Sequence, residues 1–398
     1  MPGKTISEKI LSAKSARDAR AGDVVICRVD CAMGTDGSIP MALDYFAAMG
    51  GRRVFAPGRI VFALDHYDGS GPTAALHTRI REFATAQGIR VWDVGEGIGH
   101  QLILEHGLAA PGTLVLGADS HAVTYGAVNA FAAGIGSSDL AAILVSGEIW
   151  LRVPETIRVT LTGAFLPGVY AKDAALALAA ELGAGGANYQ SLEFTGTPLP
   201  LDDRIVLANM SVEMGAKNGI FPVEQISDPD SRYAREIHLP LDRLTPQVAL
   251  PHRVDHVAPI AQAAGTPVQM VYLGTCTGGR VSDYHEALRV LQAGGGPAPG
   301  VQLVVTPASR TILDALTADG TIAAFQSMGA EIRTPGCGSC CGTRGPIPGD
   351  RITVISTANR NFKGRMGNSS AEIFLASPAS CAAAAVRGAI ADPREWNP

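Results

Sequence analysis

From about residue 20 the chain alternates short β-branched runs with helical patterns, and most of those runs end in a polar or glycine cluster. "DVVICRVD", "RIVFALDH", "IRVWDVG" and "GTLVLGADSH" read as strands of this kind. Alternation of strand and helix calls for parallel sheets with helices on both faces. Ligands of such sheets bind beyond the carboxyl ends of the strands. Asp65, His66, Asp119 and His121 are therefore expected at one edge of one sheet. A second alternating block opens at "TIRVTLTGAF", continues with the helix "AKDAALALAAEL" and runs to "IFPVEQISD". The proline-rich stretch 238–259 reads as a connector. A third block holds the strands of "VQMVYLGTCTGGR", "VQLVVTP", "AEIRTP" and "RITVIST" and closes on an alanine-rich helix at 379–391. The expected division is 1–157, 158–237, a connector 238–265, and 266–398. A chain of 398 residues is too long for one ordinary core, which agrees with several blocks.

Composition narrows the function classes. The chain is 46% hydrophobic and 17% charged, as in a folded soluble enzyme. A net charge of −5 provides no basic field for nucleic acid or an anionic membrane, so an anionic substrate needs locally placed arginines. The first 22 residues read as an amphipathic helix of mixed charge, without the apolar core of a signal peptide. No run reaches membrane-spanning length, and a cytoplasmic setting is expected. Seven cysteines at irregular spacing point to metal or catalytic thiols rather than a disulfide framework.

Three of those cysteines fall within "TPGCGSCCG", and a fourth lies in "YLGTCTGGR", another glycine-rich turn after a strand. Cys276, Cys337 and Cys340 can converge from two strand-end loops. Their spacing alone leaves zinc, redox, iron–sulfur and plain buried thiols open. The side chain of Cys341 must point away from its neighbour's, so it reads as packing, as do Cys27, Cys31 and Cys381. "LDHYDGS" and "GADSHAV" place a carboxylate beside a histidine at strand ends, and His100 opens a helix after a glycine turn. Imidazole beside carboxylate holds a proton donor at neutral pH. The other six histidines, His77 among them, read as structural. In "STANRNFKGRMG", Arg360 and Arg365 suit the carboxylates of a diacid. Glu213 lies in a glycine-bounded helical segment that says little alone.

Eight segments in this order resemble the aconitase superfamily of cubane-dependent hydro-lyases: "VDCAMGTDGSIP", "LDHYDGS", "GEGIGHQLILEHGL", "GADSHAVTYGAVNAFAAGIGSSDLA", "NMSVEMGAKNGIFP", "GTCTGGR", "PGCGSCCG" and "STANRNFKGRMG". The likeness is to the branch of 3-isopropylmalate dehydratase and homoaconitase large subunits of archaeal type. It implies three α/β/α domains with mostly parallel sheets around a central cluster site, without the swivel domain. It implies a [4Fe–4S] cluster on Cys276, Cys337 and Cys340, with one iron lacking a cysteine ligand. Asp65 and His66 match the pair that protonates the departing hydroxyl. His100, Asp119, His121 and Glu213 match groups lining the substrate, Asn209 an asparagine near the cluster, and Arg360 and Arg365 the substrate-carboxylate arginines. Gly278 stands where relatives usually carry asparagine, and Thr35 where they often carry histidine.

The base in that family is a serine on a swivelling domain, for which the blocks leave no room. The resemblance thus implies a large subunit that works with a small subunit, isomerising 2- and 3-isopropylmalate by dehydration and rehydration. Homoaconitate, dimethylmalate or citramalate chemistry is the nearest rival for the hydroxy di- or tricarboxylate substrate. A zinc hydrolase using His66 or His121 and an iron sensor binding RNA are rivals of other classes. The acidic charge counts against the last.

Overall fold

The computed structural model describes residues 3–396. Its largest sheets are mostly parallel because their central strands are short, buried and followed by helices, which calls for crossover connections. Two compact units result. One comprises 1–94, 99–161 and 185–239, the other 95–98, 162–184 and 240–398. Residues 158–237 contribute to both, and the chain crosses between units at 94/95, 98/99, 161/162, 184/185 and 239/240.

The first unit holds a five-stranded parallel sheet in the order Arg90–Trp92, Ile60–Ala63, Cys31–Thr35, Leu114–Gly117, Phe131–Gly134. The chain winds outward from Cys31–Thr35 to Arg90–Trp92, then returns to add Leu114–Gly117 on the other side. That reversal makes a switch point between Cys31–Thr35 and Leu114–Gly117, the position at which open α/β sheets bind ligands. A four-stranded sheet follows in the order Asn218–Ile220, Ser191–Gly196, Thr156–Thr162, Arg235–Pro240. The run "DVVICRVD" does form a strand, Val24–Arg28. However, it pairs antiparallel with Glu148–Arg152 as a two-stranded ribbon and does not join the parallel sheet. Its alternating exposure is that of a strand with one solvated face, which the β-branched run alone does not reveal.

The second unit is built on a seven-stranded sheet ordered Val257–Pro259, Gln247–Ala249, Glu372–Leu375, Thr353–Ser356, Met270–Gly274, Gln302–Thr306, Glu331–Ile332. The last five are parallel and repeat the winding of the first unit, with the switch point between Met270–Gly274 and Thr353–Ser356. The first two are antiparallel and lie inside the stretch expected to be a connector. Their short length and prolines hid a hairpin that extends the sheet edge, where proline is tolerated. The alanine-rich closing helix spans Pro378–Arg387, capped by the Ser377 hydroxyl and by Gly388 in the left-handed region. Its alanines are fully buried against the sheet, where small side chains permit close approach.

The tightest packing in the first unit lies where the 3-10 helix Ser120–Val128 crosses Asn218–Ile220. A Cβ on Gly126 would sit 1.8 Å from the Gly219 carbonyl oxygen, whereas one on Gly58 would meet nothing within 4 Å. Gly126→Ala is expected to cost at least ~3 kcal/mol, and Gly58→Ala to stay within ~0.5 kcal/mol. Urea melts of the two variants check this. Equal midpoints would sink it.

Candidate active site

In the first unit, three adjacent strands end on aspartates or run into them: Cys31–Thr35 on Asp36, Ile60–Ala63 on Asp65 two residues on, and Leu114–Gly117 on Asp119. Parallel pairing brings all three to one edge. Asp36 and Asp65 are almost fully buried, so each needs donors. Asp65 accepts from His66 Nδ1 at 2.7 Å and from the Gly99 N–H at 2.8 Å. Ionised carboxylates only accept, so the His66 proton facing Asp65 is on Nδ1, and Nε2 faces outward. It lies 3.6 Å from Asp119 Oδ2.

Asp119 caps the 3-10 helix, accepting the His121 N–H at 2.8 Å, and it also faces His100 Nε2 at 2.8 Å. Burial works against its charge, but the bonds to His100 and His121 outweigh burial and hold its carboxyl well below the usual range. His100 therefore carries its proton on Nε2, and its Nδ1 lies 2.9 Å from the Tyr125 hydroxyl. His121 Nε2 meets Glu213 Oε1 at 2.8 Å. Asn209 donates to Thr124 Oγ1 at 2.9 Å, and Thr124 donates to the His121 carbonyl at 2.6 Å. Thus all seven first-unit residues picked from the sequence join one network, and Asn209 reaches it through Thr124.

Asp36 and His77 are the residues that sequence reasoning passed over. Asp36 accepts the backbone N–H of His66 at 3.1 Å and of Tyr67 at 3.0 Å, and bonds to Nε2 of the fully buried His77 at 2.9 Å. Burial, then repulsion from Asp65, push its carboxyl above the usual range. It clamps the backbone that carries His66. The signal was available, since Asp36 ends a strand as Asp119 nearly does. His77 sits mid-helix in Pro72–Gln87, where nothing in the sequence marks it.

In the second unit, Met270–Gly274 and Thr353–Ser356 flank the switch point. Backbone there is unusual: Gly274 has φ 151° and Thr275 φ 77°, a conformation that a β-branched residue rarely adopts. Thr357 ties the two loops, bonding through Oγ1 to both N–H and C=O of Gly274 at 2.9 Å. Cys276 follows, its carbonyl held by buried Arg280 at 3.1 Å. Asn359 donates Nδ2 to Cys276 Sγ at 3.3 Å and to Thr277 Oγ1 at 3.1 Å, and its Oδ1 lies 3.8 Å from Cys340 Sγ. Arg365 Nη2 reaches Cys340 Sγ at 3.4 Å. Burial opposes the Arg365 charge, but attraction to Cys340 raises its affinity for the proton. Cys337 is partly buried in the same turn as Cys340, and its carbonyl accepts from Tyr272 at 3.3 Å. Gly338 is required beside it, because a Cβ would lie 2.2 Å from the Tyr272 hydroxyl.

Gly278 fits as glycine for a related reason: a Cβ would meet Thr357 Cβ at 2.7 Å, and Asn359 supplies the amide on the sulfur instead. Arg360 is partly buried directly after Asn359. Cys341 turns to Thr343, with Sγ and Oγ1 2.8 Å apart. Cys27, Cys31 and Cys381 are buried, and burial pushes the thiols of Cys27 and Cys31 up to about 11 and about 12. Three soft sulfur donors with N–H groups aimed at two of them, and the fourth local cysteine turned aside, fit a cubane cluster better than four-coordinate zinc.

These features define a mostly parallel α/β protein with an acid–histidine network at one strand edge and, at another, Cys276 and Cys340 on either side of Asn359 with Cys337 in the adjoining turn. The profile of the Aconitase family (aconitate hydratase) matches residues 8–227 and 224–388. The chain belongs to that family, whose members carry a [4Fe–4S] cluster. It is 44% identical to 3-isopropylmalate dehydratase large subunit 2 of Archaeoglobus fulgidus over 99% of this chain and 100% of that protein. It is 41% identical to 3-isopropylmalate dehydratase large subunit 1 of Methanopyrus kandleri, with the same coverage. It is 43% identical to the homoaconitase large subunit of Thermus thermophilus, over 99% of this chain and 98% of that one. The crystal structure of Thermococcus kodakaraensis aconitase X in its holo-form shares the fold at TM-score 0.58 and 15% identity, covering 92% of this chain and 91% of that one. No helix among the described residues is long and apolar enough to cross a membrane.

Two outcomes follow. Asp36→Ala strips partners from two N–H groups and from His77, and is expected to cost about 3 kcal/mol in a urea melt. A loss below about 1 kcal/mol would remove the clamp. Asp119 binds its proton less tightly folded than unfolded, so it adds stability above the ordinary value of 3.8 that is lost as pH falls through and below it. Asp119→Asn should flatten the acid limb of stability below about pH 5; an unchanged limb contradicts this.

Proposed function

We propose that this chain is the cluster-bearing large subunit of a hydro-lyase that interconverts 2- and 3-isopropylmalate through the alkene. The observation that carries this reading is the cradle around Asn359, which lies between Cys276 Sγ at 3.3 Å and Cys340 Sγ at 3.8 Å. Cys276, Cys337 and Cys340 would hold a [4Fe–4S] cluster. When bound, a cluster with one iron free of protein thiolate supplies Lewis acidity toward a hydroxyl leaving group.

The chain's own residues do the rest. His66, with Nδ1 tied to Asp65, gives its Nε2 proton to the departing hydroxyl, which leaves as water. Asp65 stabilises the imidazolium form that precedes transfer, and Asp36 fixes the ring's backbone. His100, Asp119, His121 and Glu213 order the polar wall by linked bonds. Arg360 and Arg365 take substrate carboxylates, and Asn209 holds the His121 segment through Thr124. The relatives named large subunits support a separate small subunit as partner, to which we assign the serine base that removes the proton from carbon. Homoaconitase is the second reading, favoured by the 43% identity to the Thermus thermophilus protein.

Anaerobically purified chain is expected to be brown, with about four irons and four sulfides. Cys340→Ser should lose most of that iron, while Cys341→Ser keeps it. A colourless protein with one zinc overturns the reading. With the small subunit added, alkene absorbance should appear from 2-isopropylmalate, and Asp65→Asn should lower the rate by about 100-fold or more. Turnover of homocitrate alone would move the assignment to the second reading.

A further inference from the structure

The antiparallel ribbon of Val24–Arg28 and Glu148–Arg152 has an inner face of Val25, Cys27, Ile149 and Leu151 that is buried in the core. Its outer face should by alternation be polar. Instead Val24, Ile26 and Trp150 stand 60%, 61% and 64% exposed. Three such side chains side by side on one face form an exposed apolar patch of the kind that marks functional faces on monomers. Across the ladder the outer face forms rows: Val24 beside Arg152, Ile26 beside Trp150, Arg28 beside Glu148. The Arg152 guanidinium already lies over the Tyr189 ring at 4.8 Å, which fixes it in place.

We propose that this face pairs with the same face of a second copy of the chain about a two-fold axis along the Ile26–Trp150 row. The charges select this occupant. That rotation sets the Val24–Arg152 row of one copy over the Arg28–Glu148 row of the other. Trp150 meets Trp150, Ile26 meets Ile26, and each Arg152 meets the other copy's Glu148. Val24 covers the aliphatic stem of Arg28. An isologous contact requires such self-complementarity. A central tryptophan with arginines around it has the composition of an interface hot spot. The patch is smaller than the ~800 Å² per partner of a stable interface, so it forms the centre and neighbouring surface the rim.

Sedimentation velocity of the purified full chain tests this, run without and with the small subunit. Two copies per particle are expected for the wild type. Trp150→Glu should weaken self-association by at least ~30-fold while circular dichroism stays unchanged. Glu148→Arg and Arg152→Glu should each weaken it, and the double variant should restore it, because the swapped charges meet again across the axis. If Trp150→Glu does not fold, Ile26→Asp and the charge pair carry the test. A single-copy wild type overturns the proposal, as does a Trp150→Glu chain that pairs like the wild type. So does a Trp150→Glu chain that loses only the small subunit, which would give the face to that subunit.

Discussion

Parallel registration at a switch point is the constraint on which the rest depends. In the first unit, Cys31–Thr35 pairs with Ile60–Ala63 on one side and Leu114–Gly117 on the other, all in one direction. Three carboxylates from distant stretches of sequence therefore emerge at one edge. The second unit repeats the winding with unrelated residues, and its switch point delivers Cys276 and Asn359 instead. The same topology presents an acid–histidine network in one unit and cysteines bonded by Asn359 and Arg365 in the other. What differs is the residue type at the strand ends.

Burying charge at such an edge is costly, and the chain meets the cost by pairing each charge with a donor on a rigid element. Asp65 and Asp119 each bond a histidine ring and a backbone N–H. Asp36 bonds two N–H groups and His77. Such satisfied networks fix tautomers as well as positions, which is why the outward-facing nitrogen of His66 is defined. In the second unit, buried Lys172 donates to the carbonyls of Thr357 and Ala358 at 3.2 and 2.6 Å. It thereby holds the loop from which Asn359 reaches the sulfurs, a supporting layer below the groups that touch the cradle.

Strand–helix alternation made the sheets legible, and acids or glycines at strand ends made the edge legible. The helix "AKDAALALAAEL" coincides with Ala171–Leu182 because its alanine and leucine spacing is unambiguous. Three strands were misread where local pattern and long-range pairing diverge. Val24–Arg28 has strand propensity but no signal for its antiparallel partner over a hundred residues away. The strands at 247–249 and 257–259 are too short and proline-flanked to stand out. In the site, carboxylates next to histidines in sequence were visible, whereas Asp36 with His77 is a pair across 41 residues. Contacts of that kind are set by tertiary packing, which a single sequence does not display.

Backbone strain separates the cysteine cradle from an ordinary cluster of buried thiols. Holding Thr275 at φ 77° costs of order 1–3 kcal/mol, and a fold retains such a residue only where its surroundings over-determine it. Those surroundings are identifiable: Thr357 Oγ1 on both polar groups of Gly274, and Arg280 on the carbonyl of Cys276. Asn359 then reaches the Cys276 sulfur from the neighbouring strand end. A thiol that merely filled space would need none of them, as Cys381 illustrates in a relaxed, fully buried helix. Cys276, directly after Thr275, lies beside Asn359 at the end of the neighbouring strand. That placement suits the ligand role we propose for Cys276 and would be superfluous in a packing residue.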